Sequence, residues 1–165
     1  MALPISPEYA SQLHTLIVQG TQLLQELTTL LDTELEAMQA RSLDALNASN
    51  RDKQTCLLAI DRNIRERNGL LDLQQVAHDR ASVLALLNRI AEPDAQVMTD
   101  AWHQLEAVLD EIRTKNQRNE QVLLRSKQSN DQLLALLQGH AQGNSIYDQK
   151  GDKGRYEGQR SLGKA

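Results

Sequence analysis

The sequence predicts an all-α chain: an antiparallel bundle of long helices with a long C-terminal helix and a disordered tail. Three observations carry this reading. Leucine supplies the apolar volume, with 28 copies in 165 residues, while aromatics make up only 2% (Trp102, Tyr9, Tyr147 and Tyr156, with no Phe). Leu favours helices, whereas sheet cores draw on β-branched and aromatic residues. Pro4, Pro7 and Pro93 all sit where helices can begin, and only Gly20 and Gly69 precede Gly139.

The first helix begins at Pro7, with Ser6 as N-cap and Glu8 in the first turn, and runs to about Ala40. Leu13, Ile17, Gly20, Leu24, Leu27 and Leu31 alternate steps of four and three, and Leu16, Leu23 and Leu30 widen the stripe to a bundle-type face. Ser42 caps a second helix that turns Leu43, Leu46, Leu57, Ile60 and Ile64 inward and stops near Asn68-Gly69. So short a connection makes the pair an antiparallel hairpin, or else one bent rod. A third stretch, about 72–91, carries Leu73, Val76, Val83, Leu84, Leu87 and Ile90, most strongly in its second half. Pro93-Asp94 opens the fourth helix, with Val97, Ala101, Leu105, Val108 and Ile112 as its first stripe and Val122, Leu123, Leu133, Leu134 and Leu137 as its last. Gly139 marks its end, dividing a helical body (1–139) from a Gly-rich tail (140–165). The tail holds five Lys/Arg against three acids, a net +2 that leaves −6 on the body, and too few aliphatics to offset the entropy of ordering.

Two stripes lose their apolar character midway, at Asn50 and Lys53 in the second helix and at Lys115 and Asn119 in the fourth. Such interruptions are either a polar layer or solvated middle that fixes register, or a groove where a partner inserts.

The chain offers little chemistry. A net charge of −4 disfavours nucleic acid, and the Arg62, Arg65 and Arg67 cluster, interleaved with acids, reads as a solvated face without stacking aromatics. His14, His78, His103 and His140 are dispersed, with Asp100-Ala-Trp-His103 the nearest approach to a metal-ligand pair. No phosphate loop, zinc spacing or nucleophile elbow occurs. Cys56 reads as a small buried residue, and a lone cysteine fits a reducing compartment. Neither a secretory signal nor a membrane span is present, so the expectation is a soluble cytoplasmic protein without cofactor or catalytic activity. A self-associating coiled-coil scaffold is the competing class. In the tail, Ile146 and Tyr147 stand side by side as an anchor for docking on another protein, or as an incidental pair in a solvated segment.

Three segments resemble the FlgN-type flagellar export chaperones. They are Leu35-Glu36-Ala37-Met38 through Leu43-Asp44-Ala45-Leu46 to Lys53 and Leu57-Leu58, the pair Asn116-Gln-Arg-Asn119, and Tyr147-Asp-Gln-Lys-Gly151. The resemblance implies a cytoplasmic, non-enzymatic chaperone of type III export. Such a protein binds the C-terminal helical segments of the hook-associated proteins FlgK and FlgL, keeps them unassembled, and delivers them to the export gate. It further implies that the last helix binds cargo through Val122, Leu123, Leu133, Leu134 and Leu137, and that Tyr147 docks on the cytoplasmic domain of the gate protein FlhA.

Overall fold

The computed structural model describes residues 5–143, with side-chain surroundings for residues 5–138. Among them it contains no strand and the helices α1 (Pro7–Gln39), α2 (Leu43–Leu73), α3 (Arg80–Leu87) and α4 (Asp94–Gly143). The chain divides into two compact units, Met1–Glu120 and Gln121–Ala165, and the hydrophobic core lies in the first.

The α1 stripe is buried as its periodicity predicts: Leu13, Ile17, Gly20, Leu24, Leu27 and Leu31 are all inside. Ser6 accepts the Tyr9 N–H at 3.1 Å, and the Tyr9 hydroxyl donates to the Leu70 carbonyl at 2.5 Å, tying the start of α1 to the last turns of α2. Burial pushes the Tyr9 phenol above its usual range.

Both hairpin helices end in a Schellman turn built without glycine. At the first, Arg41 takes φ 54° while Ser42 N–H bonds to Ala37 O and Arg41 N–H to Met38 O. At the second, Gln75 takes φ 58°, with Val76 N–H on Leu71 O and Gln75 N–H on Asp72 O. The second helix therefore does not stop at Asn68-Gly69; Gly69 lies inside it and Gln75 supplies the left-handed residue. The third stretch is correspondingly shorter than 72–91. Leu73 closes α2, Val76 sits in the connection, and Asp79 caps α3 by accepting the Ser82 N–H at 2.9 Å. Gly139 is likewise within α4 rather than past its end.

The inward face of α2 also differs from its apolar pattern. Ser49, Cys56 and Asn63, seven residues apart, are the buried positions, whereas Leu43, Leu57 and Ile64 are exposed. The physical reason is close approach. Small side chains let α2 reach the backbone of α1, where the Cys56 thiol donates to Leu23 O at 3.4 Å and the Asn63 amide to Leu16 O at 2.9 Å. Asn63 also receives a bond from Arg67, whose guanidinium lies 6.0 Å from the Trp102 ring centroid. Arg67 is thus half-buried, a correction to the solvated-face reading of the arginine cluster.

Gly20 makes room for this layer. A Cβ there would stand 2.6 Å from Arg67 Nη1 and 2.7 Å from Asn63 Oδ1. Gly20→Ala should therefore destabilise, because about 1–3 kcal/mol of overpacking outweighs the gain of about 1 kcal/mol in helix propensity. Gly69→Ala, whose Cβ meets nothing within 4 Å, should stabilise by up to about 1 kcal/mol. Urea midpoints shifting in opposite directions would check the pair.

Candidate functional site

The first stripe of α4 enters the core through Leu105, Val108 and Ile112, joined by Ala95 and Met98, while Val97 faces water. One turn beyond Ile112 the stripe becomes polar, and α4 is held to α1 by a network of charges and amides. Asn119, only 5% exposed, donates through its amide to Leu31 O and to Glu34 Oε1, both at 2.8 Å. Glu34 in turn pairs with Lys53 of α2 at 2.8 Å. Asp32 receives Lys115 at 2.7 Å and Arg118 at 3.1 Å, and Arg118 Nε donates to Asn119 Oδ1 at 3.0 Å. Lys53, Lys115 and Asn119 therefore form a polar layer joining three helices rather than an open groove, whereas Asn50 is exposed. Specific side-chain-to-backbone bonds of this kind fix one register, which leucines sliding over leucines do not.

The network has a pH signature. The hydrogen bond from Lys115, reinforced by Arg118, holds the Asp32 carboxyl below its usual range, and the same contact raises Lys115. A depressed carboxylate contributes stability that is full above its unfolded-state pKa and lost as pH falls through the folded value. The thermal midpoint of Asp32→Asn should thus lie below the parent by a constant margin from pH 5 to 8, a margin that closes below about pH 4. Asn119→Ala should cost about 1–2 kcal/mol at any pH, measured by urea unfolding.

In the second unit, α4 presents its leucines to water. Leu123, Leu133, Leu134 and Leu137 are 58%, 55%, 54% and 57% exposed, and Val122 is partly buried. At 3.6 residues per turn these five share one face about 120° wide. Leu124 and Leu136, on either side of that face, are also exposed, and the sequence reading missed them because they fall off the strict stripe. Between Leu124 and Leu133 every residue is polar, and Ser126 and Asn130 lie on the leucine face. The surface is two greasy patches separated by two turns of small or amide side chains, a pattern that suits an approaching helix. Tyr147, the other expected docking residue, lies outside the described residues, as does the expected tail from residue 144 onward.

Elsewhere the side chains support packing. Burial pushes the Cys56 thiol above its usual range, which opposes thiolate chemistry. His78 contacts Asp72 at 2.7 Å on an exposed surface, and no cluster able to hold a metal ion occurs among the described residues. No helix among them is long and apolar enough to cross a membrane.

A family model described as FlgN protein matches residues 1–155. No curated protein and no solved structure gives a significant match. With a match over nearly the whole chain, including α1, the hairpin and the leucine-bearing part of α4, the chain belongs to the FlgN family, a family of flagellar export chaperones rather than enzymes.

Proposed function

We propose that this chaperone acts in the cytoplasm on the hook-associated proteins FlgK and FlgL. It binds their C-terminal helical segments through Val122, Leu123, Leu133, Leu134 and Leu137 and delivers them to the export gate protein FlhA. The observation that carries the reading is the row of leucines on α4, each with more than half its surface in water. A subunit that assembles through amphipathic termini stays unassembled only while its apolar seam is covered. A helix with an uncovered seam supplies that cover without any covalent step.

In this reading residues 1–139 are the cargo-binding body and residues 140–165 a separate basic tail whose Tyr147 contacts the gate. Two anchors on one chain allow the second partner to be engaged while the first remains bound. Affinity for cargo is moderate, since ordering a terminal segment on binding subtracts from the contact energy and the cargo must later leave.

Replacing Leu133 and Leu134 together by Asp should abolish co-purification with a C-terminal fragment of FlgK or FlgL while helicity by circular dichroism stays at the parental value. Retained binding would put the cargo elsewhere. Light scattering separates this reading from a self-associating scaffold, for which oligomers would form regardless of cargo. Tyr147→Ala should leave the cargo affinity unchanged and reduce both pull-down of the FlhA cytoplasmic domain and swimming motility; a lost cargo affinity would contradict the division of labour.

A further inference from the structure

Gly20 is explained by what surrounds it, but Gly69 is not. It lies inside α2, where glycine is about 1 kcal/mol worse than alanine, and a Cβ at this position would meet no atom within 4 Å. Nor does it end the helix, which continues to Leu73. The chain's own packing has no use for a glycine here.

Gly69 lines a depression of about 540 Å³ between α1 and α2, together with Leu16, Leu70, Ser11, Gln19 and Glu66. A second depression of about 410 Å³ continues along the same seam; it shares Gln19 and Glu66 and adds Leu23, Ala59 and Glu26. From Ser11 to Glu26 the seam runs about four helical turns, roughly 22 Å. That length fits a helix better than a compact small molecule. Its centre is apolar, and its edges carry Glu26 and Glu66, neither of which forms an ion pair among the described residues. An unpaired acidic edge beside a leucine-lined trough is complementary to an apolar row flanked by a basic residue.

We propose that the α1–α2 seam is a second docking groove of the chaperone. Its occupant is an amphipathic helix of the cargo, whose large apolar side chains lie over Leu16, Gly69 and Leu70 and whose flanking Lys or Arg meets Glu66. The missing side chain at position 69 lets that helix approach closely. The proposal rests on the cargo-binding reading and adds a contact to it, separate from the leucine row of α4.

The test uses the full chain and a C-terminal fragment of a hook-associated protein as probe, with affinity read by calorimetry. Gly69→Trp fills the trough without displacing an existing atom, so its melting curve should match the parent. Its affinity should fall at least tenfold, while Gly69→Ala changes it less than twofold. Glu66→Lys should weaken binding severalfold and Glu66→Gln less. Parental affinity in both Gly69→Trp and Glu66→Lys overturns the groove and leaves the α4 surface standing. Failure of the parent chain to bind the fragment sinks the cargo reading itself. A parental dimer that Gly69→Trp dissolves would make a second copy the occupant, which also overturns the proposal.

Discussion

The apolar stripe of α1 is the surface on which the first unit is built. From Leu13 to Leu31 it is buried without a break, and α2, α3 and the first half of α4 all contribute to the same cluster. Burying leucine-sized side chains contributes about 1.5–3 kcal/mol each, so this stripe is the main source of cohesion in a chain with few aromatics. Because leucine contacts are adaptable, the stripe alone does not choose a register. The polar residues do that: Asn63 and Cys56 on α1 carbonyls at one level, Asn119, Glu34 and Lys53 at another.

This division of roles explains which parts of the fold were legible in the sequence. The α1 stripe follows helical periodicity with apolar residues and is read directly. The N-caps Ser6 and Ser42 are equally plain, since a hydroxyl before a helical run has few other uses. The inward face of α2 was hidden because Ser49, Cys56 and Asn63 were chosen for size and hydrogen bonding rather than for hydrophobicity. Its end was hidden because Arg41 and Gln75 occupy left-handed positions where glycine is the usual signal, while the glycine that is present lies inside the helix. Hydrophobic pattern thus misleads where a helix packs through short polar side chains against a neighbour's backbone.

The candidate site was legible for the complementary reason. Val122, Leu123, Leu133, Leu134 and Leu137 continue helical spacing into a region with no sequence partner of comparable length, and four of the five are exposed. What periodicity missed, Leu124 and Leu136, lies to either side of the stripe and enlarges the apolar surface. Leucine in water gains nothing for the folded chain, so keeping several of them exposed on one helix is sensible only if another molecule covers them. Membership of a family of export chaperones supplies the kind of molecule.

Hydrogen exchange along α4, with and without the C-terminal fragment of a hook-associated protein, measures this claim directly. The account requires amides of residues 121–138 to exchange rapidly in the free chain and to gain protection when the fragment is added, while Leu13 to Leu31 of α1 stay protected throughout. Protection of residues 121–138 that is already high without the fragment, or unchanged by it, would contradict the account.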